Sequence, residues 1–190
     1  MIDYIRLSKA ISRALRHDPD GFGLVLAVGG WVRVNDLLVG LQKQAAWQGL
    51  TEGDIVELVS RPGKQRFELK DGLIRALYGH TIKVDLQQES KAPPRLLYHG
   101  TTPDAAGLIR RQGLKPMGRQ YIHLSQDIET AIRVGERKTT RPVILTIYAA
   151  QAHQQGIPFY HGNDTTWLAD AVPPQFISEE ETTDLDKGPF

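Results

Sequence analysis

The stretch QQESKAPPR (87–95) constrains the fold most. Polar residues run there into a proline pair, which lacks the backbone donors that a helix interior or a central strand requires. It divides the 190 residues into two parts of similar size, each long enough for a small domain. The chain therefore reads as an N-terminal lobe over 1–90, a C-terminal lobe over 91–177 and an acidic tail over 178–190. No internal repeat or low-complexity stretch interrupts this division.

The two lobes are patterned differently. In the first, Tyr4, Leu7, Ile11, Ala14 and Leu15 recur at helical spacing, and Pro19 predicts a helix end at His17–Asp18. Asp36 opens a second helix, DLLVGLQKQA. Thr51 with Glu52 and Asp54 opens a third, TEGDIVELVS. KQRFEL (64–69) and LIRALYGHTIKV (73–84) read as strands around the turn KDG. Three helices followed by a β-hairpin is the order of a winged-helix module, a common nucleic-acid platform; a small α+β lobe of another kind has the same order.

The second lobe predicts strands at RLLYHGT, YIHLS and PVILTIYA, with further strand-like sequence in WLADAVPPQFI. Helices are predicted at TPDAAGLIRRQG, closed by Gly113, and at DIETAIRVGERK, with Asp127 near its start. The fold class is α+β, not doubly wound. No GxGxxG follows a strand and no GxxxxGK[ST] is present, so neither a dinucleotide fold of that type nor a P-loop is supported.

Composition removes other classes. With no cysteine there are no disulfides, thiolate metal sites or cysteine nucleophiles, which is compatible with a cytoplasmic protein. The histidines lack HxxxH spacing, so a catalytic metal is not expected. No apolar run is long enough for a membrane span, and the N-terminus lacks a signal-peptide core. The net charge of +1 hides an asymmetry: the tail holds five acids and one lysine, leaving 22 basic and 17 acidic side chains before it. A body at +5 suits a nucleic-acid partner without requiring one. The tail reads as a solvated, disordered end. The lack of exposed apolar repeats favours a monomer.

Three arginines stand outside mixed-charge helix faces: Arg16 in LRHDP, Arg66 in KQRF and Arg119 in MGRQYIHLS. The planar, permanently charged guanidinium suits phosphate. Three of them spread along one chain suggest a phosphate pocket assembled by folding. Each also has a plain reading. Arg16 with His17 is a cationic helix end, Arg66 an exposed strand arginine, and Arg119 the lead-in to a buried strand. His99-Gly100-Thr101 closes an apolar strand, where glycine permits close approach of a ligand; an ordinary strand-to-helix turn has the same form. His123 and Ser125 alternate onto one face of their strand.

In their order along the chain, SKAISRALRHDP, GLVLAVGGWVRVNDLL, KQRFEL, IRALYGHTI, LYHGT, GLKPMGRQYIHLS, VGERK and NDTTWLADAVPPQF resemble the NAD-dependent RNA 2′-phosphotransferases of tRNA splicing. The resemblance covers roughly residues 6–177. It implies a winged-helix RNA lobe and an ADP-ribosyltransferase-like lobe. It implies removal of an internal RNA 2′-phosphate by transfer to NAD as co-substrate, with no metal. The products would be 2′-OH RNA, nicotinamide and ADP-ribose 1″,2″-cyclic phosphate. Arg16, His17, Arg66 and Arg119 match the family's essential Arg-His-Arg-Arg set. His99, Gly100, Thr101, His123 and Ser125 match its NAD-lobe signatures. Arg75 and His80 are expected on RNA phosphates. The chain departs from the usual pattern at Thr81, where serine is common, at Leu77–Tyr78, and at Thr166, where valine is common. The alternatives are an ADP-ribosyltransferase acting on nucleic-acid phosphate ends and a non-catalytic winged-helix RNA binder.

Overall fold

A computed structural model describes residues 2–63 and 65–179. The chain divides into two compact units, each with its own core. The first comprises Met1–Glu89 with Gly118–Gln120, and the second Ser90–Met117 with Tyr121–Phe190. Both combine helices with an antiparallel sheet, so the class is α+β.

In the first unit α1 spans Tyr4–Arg16. The Asp3 carboxylate caps it by accepting from the Ile5 and Arg6 amides. It buries Leu7, Ile11, Ala14 and Leu15, the stripe predicted from spacing. A short α2, Pro19–Phe22, follows at once because Asp18 caps it through the Gly21 amide; the sequence pattern did not reveal it. β1 (Val32–Arg33) leads into α3 (Val34–Gln42), which starts two residues before Asp36. α4 (Glu52–Ser60) begins in a reciprocal capping box between Thr51 and Asp54. Leu7, Ile11, Leu15, Leu37, Leu41, Ile55 and Ile74 fill the core.

β2 (Phe67–Lys70) and β3 (Leu73–Ala76) form a hairpin, and β1 joins β3 on its other edge. Asp71 and Gly72 both have positive φ, 52° and 73°, the turn that matches strand twist in a two-residue hairpin. Two expectations are corrected here. Arg66 precedes β2 and lies outside it. The predicted strand over 73–84 ends at Ala76, and Gly79 turns the chain at φ 90°.

The second unit is a six-stranded sheet in the order β7-β8-β5-β4-β6-β9. Its strands are β4 (Leu97–Thr101), β5 (Ile122–Ser125), β6 (Val143–Ile147), β7 (Phe159–Asn163), β8 (Thr166–Ala169) and β9 (Ile177–Glu179). Its helices are α5 (Pro103–Gln112), α6 (Ile128–Gly135) and α7 (Ala149–Gln154). α7 and β7 went unread in the sequence, since HQQG and HGN hide short elements among polar residues. Ser178 and Glu179, assigned to the tail, pair with β6; the rest of that tail lies outside the described residues. No helix among the described residues is long and apolar enough to cross a membrane.

The middle of the sheet is the weak point of its ladder. β4 pairs with β6 over five residues and β5 with β8 over four, but β4 and β5 pair only at Tyr98 and Ser125. Next to this divergence α6 lies directly on β4. A Cβ on Gly100 would stand 1.9 Å from the Ala131 carbonyl oxygen. That oxygen is backbone and cannot swing aside, so only glycine fits. Gly100→Ala should lower stability by roughly 3 kcal/mol. Gly107→Ala in α5, where an added Cβ meets nothing within 4 Å, should raise it by about 1 kcal/mol. Urea unfolding of the two variants checks both signs.

Candidate active site

The first unit gathers the cations. Arg16 ends α1 and turns inward, its guanidinium over the rings of Phe67 (5.6 Å) and Tyr78 (5.2 Å). Its Nη2 donates to the Arg66 carbonyl at 3.2 Å, which also accepts from the Leu77 amide at 3.0 Å. Burial brings the Arg16 pKa down to about 10; the Tyr78 hydroxyl opposes the shift, and the charges of Arg66 and Arg119 add to it. Gly79 leaves room for this side chain, since a Cβ there would be 3.2 Å from Arg16 Nη1.

His17 is the C-cap of α1 and remains exposed. Its Nδ1 lies 2.9 Å from Thr81 Oγ1. Thr81 Oγ1 also lies 3.4 Å from the Arg16 carbonyl oxygen, so this hydroxyl links the His17 ring to the end of α1. The Thr81 amide holds the same carbonyl at 3.0 Å. This leaves His17 Nε2 as the ring atom able to meet a ligand. Partial burial, then the charges of Arg16 and Arg119, hold the His17 pKa below its ordinary value.

Arg119 arrives from a distant part of the chain on the short segment 118–120, and Gln120 fixes that segment. Its amide donates to the His80 carbonyl at 2.9 Å. Its side chain accepts from the Val84 amide at 3.2 Å and donates to the Val84 carbonyl at 2.7 Å. The amide group thus copies a strand partner along 80–84. Neither Thr81 nor Gln120 stood out as a site residue. Thr81 was marked only as a hydroxyl at a position where serine is common, and the one signal for Gln120 was its place after Arg119.

Arg75 and His80, expected on RNA phosphates, are both engaged within the first unit. Arg75 is bound to Glu68 at 2.6 Å, lies 4.5 Å over the Trp31 ring and donates to the Gly29 carbonyl. It braces the three-stranded sheet. His80 is 2% exposed, with neither ring nitrogen hydrogen-bonded, so it packs behind the cations and does not present a face to solvent.

In the second unit, side-chain alternation separates the predicted residues. His99 and Thr101 share the face of Leu97 and Leu145, while Gly100, His123 and Ser125 share the opposite face with Tyr98. His99 still reaches across the divergence of β4 and β5: its Nδ1–H donates to the His123 carbonyl at 3.0 Å. A carbonyl only accepts, so the tautomer is fixed and Nε2 is an acceptor. Burial holds the His99 pKa low; the His123 carbonyl opposes this, and Lys138 adds to it. A neutral, rigid imidazole with one free acceptor nitrogen suits a ribose hydroxyl. Gly100 leaves no space for a ligand, because the Ala131 carbonyl fills it.

A line of polar residues also crosses the whole sheet. Register aligns Asn163, Thr166, Ser125, Tyr98, Thr146 and Ser178, one per strand. Asn163, Thr166, Ser125 and Thr146 are buried. Ser125 and Thr166 are recognisable in the sequence one at a time; the row is visible only once the strands are in register.

The buried His80 makes stability depend on pH. Burial, then Arg16 and His17, bring its pKa down to about 4. The unfolded chain therefore takes up a proton near the ordinary histidine pKa, before the folded one does. The stabilisation is complete above that value and is lost as pH falls toward about 4. It is on the order of 3 kcal/mol at most. Melting temperatures from neutral to mildly acidic pH should fall more steeply for the wild type than for His80→Leu.

Comparisons with known proteins converge on one family. The RNA 2′-phosphotransferase, Tpt1 / KptA family matches over residues 3–171. A probable RNA 2′-phosphotransferase of Acetivibrio thermocellus is 46% identical over 180 residues, covering 95% of this chain and 99% of the relative. A probable RNA 2′-phosphotransferase of Bacillus thuringiensis is 44% identical over 175 residues, covering 92% and 95%. One from Burkholderia pseudomallei is 42% identical over 174 residues, covering 90% and 93%. With the match running from the α1 cap to just past β8, the chain belongs to the RNA 2′-phosphotransferase family.

Proposed function

We propose that this protein removes an internal RNA 2′-phosphate, as at a tRNA splice junction, by transferring it to NAD. The products are 2′-OH RNA, nicotinamide and ADP-ribose 1″,2″-cyclic phosphate. The observation that carries the reading is the approach of Arg119 to Arg16 and His17 within the first unit, close enough for its charge to help lower both their pKa values; a cationic cluster of this kind suits an anion. A phosphate monoester supplies that charge. The first unit, with α1, α3 and α4 followed by the β2–β3 hairpin, acts as a winged-helix RNA platform. The second acts as an ADP-ribosyltransferase-type lobe, with His99 Nε2 accepting from a ribose hydroxyl on the face that His99 shares with Thr101, and the His123 carbonyl holding the His99 ring.

The chemistry asks little of a general base. A 2′-phosphate oxygen attacks C1″ of the nicotinamide ribose, the C1″–N bond breaks and nicotinamide leaves. The result is an ADP-ribosylated RNA phosphate. The ribose 2″-hydroxyl then attacks phosphorus and the P–O2′ bond breaks; the proton that the 2″-hydroxyl loses to solvent balances the one that the 2′-oxygen gains. Arg16, Arg66 and Arg119 stabilise the phosphoryl charge in both steps. His17 Nε2 gives the departing 2′-oxygen its proton, with Thr81 holding the ring. Partial burial and the neighbouring arginines disfavour the protonated form of His17. A bound phosphate reverses the field of the arginines, so the proton is taken up when the substrate arrives.

Incubation with NAD and a short RNA bearing one internal 2′-phosphate, followed by mass analysis, tests the reading. Loss of the phosphate with equal gain of ADP-ribose 1″,2″-cyclic phosphate is expected. An RNA heavier by one ADP-ribose would instead identify an ADP-ribosyltransferase. His17→Ala and Arg119→Ala should each lower kcat/KM by roughly 100-fold or more. Turnover by the wild type should decline as pH rises through the substrate-bound His17 pKa, a limb that His17→Ala lacks. Gln120→Ala, which touches no substrate, should cost about tenfold in kcat/KM through misplacement of Arg119, and doing so without a matching fall in melting temperature separates it from general damage.

A further inference from the structure

The outer face of α1 has a charge pattern that helix stability does not explain. From Tyr4 to Arg16 the helix carries Arg6, Lys9, Arg13 and Arg16 and no acid. Arg6 stands in the first turn, where the helix dipole disfavours a cation. Lys9 and Arg13 are an i,i+4 pair of like charge, which destabilises a helix. Arg6, Lys9 and Arg13 are all exposed. Among the described residues Arg13 has one ion pair, with the partly exposed Asp18, and none is recorded for Arg6 or Lys9.

At the helical angle of 100° per residue, Arg6, Lys9, Arg13, Arg16 and His17 fall within about 100° of arc, opposite the buried stripe of Leu7, Ile11 and Ala14. Arg6 and Arg13 are separated by about 10 Å along the axis. That length accommodates about three phosphates of a stacked strand. The row leads directly to His17, at the end of the same helix.

We propose that the Arg6–Lys9–Arg13 face of α1 is a track for the RNA backbone flanking the 2′-phosphate. It rests on the proposed function for the identity of the reacting group, but not for the track itself. Its partner is single-stranded RNA, held through phosphates and read without base specificity. The track makes a longer strand a better substrate than a 2′-phosphorylated dinucleotide, and it makes binding strongly dependent on salt.

The test compares wild type, Arg6→Gln/Lys9→Gln and the charge-preserving Arg6→Lys/Lys9→Arg. Arg13 is left intact because of its tie to Asp18. Binding of a fluorescent single-stranded RNA is measured across salt concentrations. Removal of two phosphate contacts should lessen the slope of log affinity against log salt by about 1.4. The charge-preserving variant should keep the wild-type slope. In turnover, the preference for a long 2′-phosphorylated strand over the dinucleotide should shrink about tenfold in the neutralised variant alone. An unchanged slope together with an unchanged length preference would overturn the track. If the wild type transfers no phosphate yet the slope still falls in the neutralised variant, the track stands and the transfer reaction is what fails.

Discussion

The first unit depends on burying one guanidinium. Arg16 leaves the last turn of α1, lies against Phe67 and Tyr78, and ties itself to the Arg66 carbonyl. Desolvating a cation beside other cations is unfavourable, and the aromatic faces and the carbonyl offset only part of that cost. What remains is a strong preference for an anion. The same residue organises its neighbours through its backbone, because its carbonyl receives the Thr81 amide and hydroxyl, and Thr81 in turn orients His17. One position thus supplies charge through its side chain and geometry through its main chain.

The second unit is built around a different constraint. β4 and β5 are neighbours in a sheet but share a single residue pair. The ladder bonds lost there must be replaced. His99 replaces one by donating to the His123 carbonyl, and this fixes both its tautomer and its position. Gly100 admits the α6 backbone on the other side of the strand. The adjacent His-Gly-Thr residues therefore divide their labour: the histidine faces a potential ligand and the glycine serves packing.

Much of this was legible because it obeys local rules. The α1 stripe, the Thr51 capping box, the turn at Asp71–Gly72 and the apolar β6 are written in spacing and turn chemistry. Arg16, His17 and Arg119 were recognisable as a set by resemblance, and the structure brings them into one unit. The rest was hidden because it depends on contacts distant in sequence. Gln120 lies thirty-six residues from the Val84 backbone it clamps. Arg75 looked like a free wing arginine until β3 paired it with Glu68. His80 was expected on RNA phosphates, within a strand predicted over 73–84. The chain instead turns at Gly79 and carries the ring inward. Alternation predicted that His123 and Ser125 share a face, but only the register shows that His99 and Thr101 lie on the other.

These features form a gradient of affordable instability along α1. At its start, Arg6 opposes the helix dipole; in its middle, Lys9 repels Arg13; at its end, Arg16 is desolvated and the His17 pKa is held down by its cationic neighbours. Each is a small penalty of a kind that a stability-driven sequence would remove with one glutamate. The helix tolerates them because its opposite face is completely buried, with Leu7, Ile11, Ala14 and Leu15 inaccessible to water. Core burial fixes the helix firmly enough that its exposed side need not contribute to folding. That side is then free to remain electrostatically unsatisfied until a polyanion completes it, most strongly at the end where Arg16 and His17 stand.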